Sequence, residues 1–304
     1  MTYETFKKEL LCAMHRRMEE KVQITIEKVP KNNGVIKEGM VIRTEDSPVA
    51  PALYLQDIYL RFRDIPFSYD ALAERLLQIG AKEKGKLEEQ MEVFSDFYQA
   101  REHIFAHVIN AGWNRESLEY LPHEKILDLA IVCSYRVEGG PTEGAMMLIN
   151  QSQTAGWGIT PSQLLALAKA NTARQYPVSM ISINDMIRMV ADKEELSGFG
   201  EDFEEDIPMF ILTNTEKYLG AYSMFYPNVQ QHVADVLNSS YFILPSSIHE
   251  TILVPDSGLY TPRELQEMVK SVNHTQMDPR ETLSDSVYYY DRKIKKLSIA
   301  AKGN

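Results

Sequence analysis

The spacing of apolar residues changes from helical to extended near the N-terminus, and this change restricts the fold. Apolar residues recur every three or four positions in residues 3–20, which predicts a helix with one apolar face. Residues 22–26 alternate between apolar and polar side chains, as a half-buried strand does. Asn33-Gly34 accepts the positive φ of a tight turn, so a return strand over about 35–44 completes a hairpin. A helix followed at once by a hairpin predicts an α+β fold.

Similar patterns continue along the 304 residues and extend the α+β prediction to the whole chain. We expect a smaller helix-plus-hairpin module at 1–112 and a C-terminal α+β domain at 113–304, with an antiparallel or mixed sheet and helices on one face. Ser68, Thr160 and Thr261 have the residue types that cap helix N-termini. The predicted helices are 68–91, 94–109, 161–174, 228–237 and 261–272; the predicted strands are 127–137, 145–149, 178–185, 209–213, 218–225, 241–244, 249–254, 287–292 and 296–299.

Composition and charge argue against several classes of function. No stretch approaches the roughly 20 apolar residues of a membrane span, and the charged N-terminus lacks the apolar core of a signal peptide. Cys12 and Cys133 form no C-x-x-C motif, which argues against a thiolate zinc site and fits a reducing compartment. The net charge of −11 repels nucleic acid and anionic membranes. We therefore expect a cytoplasmic protein whose partner is another protein or a small molecule.

The polar segment "PSSIHE", residues 245–250, is the main candidate for a functional site. As a catalytic element, Ser246 or Ser247 would be a nucleophile with His249 as its base, yet no G-x-S-x-G motif surrounds either serine. As a structural element, the proline ends one strand and the serines satisfy freed backbone groups. His249 and Glu250 would begin the next strand on opposite faces, which disfavours a joint acid–base role. We favour the structural interpretation, assign no catalytic residue, and keep as binding candidates Ser246, Ser247, His249 and Glu250.

Two other clusters contain residue types that bind metals, but neither has the complete pattern of a metal site. His103 and His107 lie four apart in a predicted helix, where two imidazoles share one face, but no third ligand accompanies them. Residues 192–206 carry eight carboxylates without the spacing of a calcium loop, so we predict a mobile acidic loop there. A glycine-rich phosphate loop is also absent from the sequence. The sequence therefore assigns no metal and no cofactor.

Several stretches, taken together, resemble a numbered bacterial family of domains of unknown function, family 5688. The resemblance spans nearly the whole chain and implies an origin in anaerobic gut bacteria, often near mobile elements. Residues 125–256 also resemble another uncharacterised bacterial family with a strand–strand–helix–strand core. Neither resemblance implies an activity, a ligand or a catalytic residue. The stretches are "KNNGVIKEGMVIRTE", "APALYLQDIYLRF", "ILTN" at 211–214 followed by "GA", "YFILPSSIHETILVPD" and "LSDSVYYYD".

These observations favour a non-enzymatic binding, interaction or accessory protein. The sequence shows no nucleotide-binding loop, no metal-ligand motif and no nucleophile elbow. The alternative hypothesis is a hydrolase-like enzyme that uses Ser246 or Ser247 together with His249.

Overall fold

A computed structural model of the chain describes residues 1–18, 22–45, 47, 50, 52–137, 146–193 and 207–303. The predicted acidic loop lies, from residue 194 onward, outside these residues. The chain divides into two compact units, the first made of Met1–Arg101 with Arg136–Met146 and the second of Glu102–Tyr135 with Met147–Asn304. The predicted boundary at 112/113 stays a prediction.

The first unit packs helices on a three-stranded sheet of order β1-β2-β3. Its elements are α1 (Tyr3–His15), β1 (Val22–Pro30), β2 (Ile36–Thr44), β3 (Ala52–Tyr54), α2 (Leu55–Phe62), α3 (Tyr69–Ser95) and α4 (Phe97–Ala100). Strands β1 and β2 pair antiparallel, and Asn33 and Gly34 adopt φ values of 60° and 68° between them. This confirms the predicted hairpin. Phe6 and Leu10 of α1 pack with Leu76 of α3 in the core of this unit.

The second unit contains the remaining elements. They are β4 (Ile104–Asn110), α5 (Arg115–Leu118), β5 (His123–Ile126), β6 (Leu129–Arg136), β7 (Met146–Leu148), α6 (Gln151–Gly156), α7 (Pro161–Gln175), β8 (Val178–Ser182), α8 (Ile183–Lys193), β9 (Phe210–Asn214), α9 (Val229–Leu237), β10 (Tyr241–Leu244), β11 (Thr251–Pro255), α10 (Pro262–Thr275), β12 (Val287–Asp291) and β13 (Lys296–Ala301). Helices α7 and α10 both begin with the predicted threonine cap followed by proline.

Two sheets organise the second unit. The six-stranded sheet has the order β13-β12-β10-β11-β9-β8, and all its neighbouring strands are antiparallel. Helix α10 covers one face of it, where Leu265 and Val269 pack against Phe242, Val254 and Val287. The smaller sheet has the order β4-β6-β5, and β7 also pairs with β6. Antiparallel sheets with separate helices confirm the α+β prediction.

Helix α7 closes the open edge of β4. The Thr172 Oγ1 accepts a 2.7 Å hydrogen bond from the buried Ala106 N–H and donates to the Ala168 carbonyl, also at 2.7 Å. The Asn171 Nδ2 donates to the Ile104 carbonyl at 3.0 Å. These contacts satisfy edge groups that would otherwise be buried without partners.

Two predicted elements are wrong. The helix predicted over 94–109 is instead the end of α3, the short α4, a 3-10 turn and β4. All seven residues of β4 are buried, so this strand lacks the alternating pattern that distinguishes a strand from a helix. The strand predicted over 218–225 is a 3-10 helix, Gly220–Phe225. Leu219, directly before it, has a left-handed φ of 51°, which breaks an extended conformation.

The hydroxyl of Thr172 should contribute more to the free energy of unfolding than an equivalent hydroxyl at a helix end. Thr172→Val leaves the Ala106 N–H buried without an acceptor, so we expect the free energy of unfolding to fall by about 1–3 kcal/mol in urea titrations. Thr275 in α10 makes the same contact, with its Oγ1 2.7 Å from the Ser271 carbonyl, but it is exposed. Thr275→Val should change stability by less than about 0.5 kcal/mol. Equal losses in the two variants would contradict this role.

Candidate functional site

The segment Pro245–Glu250, which we call the corner, connects β10 to β11 at one end of the six-stranded sheet. Leu244 and Ile252 are the last paired residues before and after it. Three backbone hydrogen bonds of 2.8–3.1 Å join the corner to residues 281–284. This confirms the prediction that the segment turns between two strands. Its backbone is therefore held on a second segment of the chain and not only by its own strands.

The serines of the corner do not form a catalytic pair with its histidine. Ser247 is only 2% exposed, and its Oγ accepts a 2.9 Å hydrogen bond from the backbone N–H of His249. Among the described residues, no hydrogen bond joins the Oγ of Ser246 or Ser247 to the His249 ring. A serine nucleophile needs a base within hydrogen-bond reach of its hydroxyl. The arrangement is that of a serine turn, as the structural interpretation expected.

The imidazole of His249 binds backbone instead. Its Nδ1 accepts a 3.1 Å hydrogen bond from the Leu219 N–H, which assigns the ring hydrogen of the neutral form to Nε2. The Nε2 lies 3.8 Å from the nearer carboxylate oxygen of Glu281, and the ring stacks beside Tyr218 with 5.1 Å between centroids. His249 thus anchors the left-handed turn at Leu219 on the corner.

The expected strand geometry of His249 and Glu250 is wrong, because β11 begins only at Thr251. The carbonyl of His249 accepts a 2.8 Å hydrogen bond from the Thr213 Oγ1 on β9 in place of a ladder partner. Strand alternation therefore does not place these two side chains on opposite faces. Glu250 is half-buried and has no ion pair within the described chain.

Close packing at Gly220 explains why two of the quoted stretches belong together. A Cβ on Gly220 would lie 2.1 Å from the Thr213 Oγ1, 2.6 Å from the His249 carbonyl oxygen and 2.7 Å from the Asn214 nitrogen. The Ala221 N–H also donates to the Ile248 carbonyl at 3.2 Å. Only glycine fits this close approach. The "ILTN" and "GA" residues therefore pack directly on the corner.

The carboxylate of Asp128 binds three hydroxyl groups from the segment that follows residue 283. One oxygen accepts from Ser284 and Ser286, both at 2.7 Å, and the other accepts from Tyr288 at 2.5 Å. Burial, together with the charge of Asp128, raises the pKa of Tyr288 well above its usual value, so this hydroxyl stays a donor. Asp128 directly follows Leu127, which has a φ of 57°. We call this set of hydrogen bonds the Asp128 clamp.

A surface cleft lies beside the clamp, between α5 and β5. Its volume is about 470 Å³, within the range of small-molecule sites. Leu118 forms its buried base, whereas Leu127 is 38% exposed. The His123 ring is oriented by a 2.9 Å hydrogen bond between its Nδ1 and the Leu121 carbonyl. The other charged lining residues are Arg115, Glu119 and Lys125.

The sequence did not identify the cleft or the clamp. One signal was present: Asp128 is a lone carboxylate within the apolar run "ILDLAIV". A charge in such a run requires a partner when the run folds into a sheet. The partner, however, lies some 160 residues away in the chain. Spacing along the sequence does not show such a contact.

His103 and His107 do not share a helix face, so the geometric basis of the metal hypothesis is wrong. His103 ends a 3-10 turn, and His107 lies buried in β4 opposite Val132. Burial lowers the pKa of His107 from 6.5 to about 4, and its Nδ1 has no hydrogen-bond partner in the described part of the chain. Within the described ranges, no group of three or more His, Cys, Asp or Glu residues could hold a metal ion.

The comparisons with known proteins confirm the resemblance to family 5688. The model of a family of unknown function, DUF5688, matches residues 3–292. No curated protein and no solved structure matches the chain. In the part of the chain that the structure describes, no helix combines the length and the apolarity needed to cross a membrane.

The buried His107 should make the protein sensitive to acid. Its folded-state pKa is lowered, so between pH 6.5 and about 4 the unfolded chain binds a proton that the folded chain does not. We expect this group to remove up to about 3 kcal/mol of stability as the pH falls from 7 to 4. In urea titrations across this pH range, the free energy of unfolding should decline less steeply for His107→Leu than for the native chain. His274→Leu, at an exposed histidine, should decline like the native chain. Parallel curves for all three proteins would refute the assignment.

The anchoring role of His249 predicts an order among its substitutions. Asparagine places an acceptor oxygen near the position of Nδ1, whereas glutamine places one near Nε2. We therefore expect His249→Asn to be more stable than His249→Gln by about 1 kcal/mol, the net value of one hydrogen bond. Chemical denaturation measures the difference. The reverse order would show that Nε2, facing Glu281, is the important atom.

Proposed function

The chain belongs to the family of unknown function DUF5688, and from the geometry of its second unit we propose that it is a non-enzymatic binding protein whose ligand site is the cleft. The cleft has the volume of a small-molecule site and combines apolar with charged lining residues. Its concave form favours a small molecule over a second protein as the ligand.

The conformation of Leu127 is the observation that carries this proposal. Leucine in a left-handed backbone conformation costs about 1–2 kcal/mol relative to its usual conformations. The Leu127 residue is nevertheless 38% exposed, and its side chain contributes apolar surface to the cleft. The Asp128 clamp supplies the hydrogen bonds that hold the neighbouring residue, and so the turn, in place. Backbone strain at a residue that also exposes apolar surface to a cleft supports a role in binding.

The corner enters the proposal as a support and not as a reactive centre. Its backbone pairs with residues 281–284, and Ser284 of that segment binds Asp128. The corner therefore supports the clamp through its backbone hydrogen bonds. Ser246 and Glu250 stay binding candidates at the sheet end. The hydrolase alternative has less support, because the Ser247 hydroxyl is buried and bound to backbone and, among the described residues, no hydrogen bond joins the Ser246 hydroxyl to the His249 ring.

We also propose that the protein acts in the cytoplasm. Cys12 and Cys133 are both free thiols, and Cys12 is exposed. An exposed free thiol suits a reducing compartment. The net charge of −11 supports a partner other than nucleic acid.

The cleft can be tested with 1-anilinonaphthalene-8-sulfonate, an apolar anion whose fluorescence rises in apolar surroundings. We expect Leu127→Asn to lower the fluorescence of the bound dye at least several-fold, because the apolar rim is lost. Asparagine accepts a left-handed backbone, so the free energy of unfolding should stay equal or rise by up to about 1 kcal/mol.

Leu259→Asn is the matched control, because Leu259 is 67% exposed in a loop of the same unit and does not line the cleft. This variant should bind the dye like the native chain. Dye binding that Leu127→Asn leaves unchanged would contradict the proposed site. A marked loss of stability in Leu127→Asn would show that the leucine serves folding instead.

A further inference from the structure

We infer that the cleft binds a small organic carboxylate that carries an apolar body. This inference rests on the proposed function of the cleft and specifies its ligand class. Two cationic side chains, Arg115 and Lys125, line the cleft together with Leu118 and Leu127. The carboxylate group would bind the two cations, and the apolar body of the ligand would pack on the two leucines.

Within the described residues, neither cation of the cleft forms an ion pair. Several other cations of the described residues do form ion pairs. The Nζ of Lys169, for example, lies 2.7 Å from a carboxylate oxygen of Glu124, which is on the same strand as Lys125. Within the described residues, neither Arg115 nor Lys125 has a carboxylate within 4.0 Å. Their charges are therefore available to a bound anion.

Strand geometry accounts for the separation of charges on β5. Neighbouring side chains of a strand point to opposite faces, so Glu124 points away from the face that His123 and Lys125 share. Glu124 pairs with Lys169 of α7 on its own face. Lys125 is left on the cleft face, and within the described residues no carboxylate lies within 4.0 Å of its Nζ.

The lining favours a monoanion over a phosphate. Arginine presents a planar fork of donors that matches the two oxygens of a carboxylate, and lysine adds a point charge. Glu119 also lines the cleft and would repel a dianion more strongly than a single carboxylate. The volume of about 470 Å³ leaves room for an apolar body of ring size beside the charged group.

Two ligands of the same shape, one charged and one neutral, distinguish the contribution of charge to binding from that of apolar contact. 1-Naphthaleneacetate and its neutral amide, 1-naphthaleneacetamide, differ only in the ionised group. By calorimetry on the full chain at low salt, we expect the carboxylate to bind about fivefold more tightly than the amide. Raising NaCl to 0.5 M should largely remove this preference, because exposed charges are screened.

Variants assign the preference to particular side chains. Arg115→Gln and Lys125→Gln should each weaken the carboxylate about threefold to fivefold and leave the amide unchanged. Glu119→Gln should strengthen carboxylate binding about twofold, since a like charge is removed. Lys302→Gln, at an exposed lysine outside the cleft, is the control and should change neither ligand.

Two results would overturn the inference, and they have different consequences for the proposed function. Equal affinity for the acid and the amide, with both lost in Leu127→Asn, would refute charge recognition and retain the cleft as an apolar site. No binding of either ligand would also refute the inference. The dye response of Leu127→Asn would then decide independently whether the cleft is a binding site.

Discussion

The carboxylate of Asp128 joins the two sheets of the second unit, and the local geometry of both depends on it. Asp128 lies in the turn between β5 and β6 of the smaller sheet, and the three hydroxyls that it binds belong to the chain that enters β12 of the larger one. Hydrogen bonds to a charged group contribute about 1.5–3 kcal/mol each, more than neutral ones. The Asn110 Nδ2 adds a contact to the Leu283 carbonyl at 3.0 Å.

The Asp128 clamp links the corner with the cleft through a short series of hydrogen bonds. The corner pairs with residues 281–284 through its backbone, and the following serines hold Asp128. Asp128 in turn fixes the two-residue turn in which Leu127 takes a left-handed conformation. A strained residue persists only where its surroundings over-determine the backbone. The fold therefore presents Leu127 at the cleft.

The histidines show how burial and partners decide the role of a residue type. His107 lies within a fully buried strand, and desolvation keeps its ring neutral down to a pH of about 4. His249 is partly exposed and uses Nδ1 as an acceptor for the Leu219 backbone. His123 uses its Nδ1 on the Leu121 carbonyl and presents the rest of its ring to the cleft. The same side chain thus packs, anchors or lines a site, according to its place in the fold.

The sequence by itself determined the elements whose signals are local. The Asn33-Gly34 hairpin, the threonine caps with proline at α7 and α10, and the turn at the corner all follow from residues within a few positions of one another. Side-chain periodicity and turn chemistry act over that distance, so a linear pattern is enough to predict them.

Only the tertiary structure decided the features that depend on distant partners. Residues 104–110 form a strand because both faces are buried and α7 satisfies the open edge. The sequence of this segment by itself shows neither the burial nor the contact with α7. Asp128 meets Tyr288 across 160 positions, and Gly220 meets the carbonyl of His249. Arg115 and Lys125 line one cleft because a short helix and a strand fold against each other. Long-range contacts of this kind arise from packing of the whole unit, and local spacing carries no record of them.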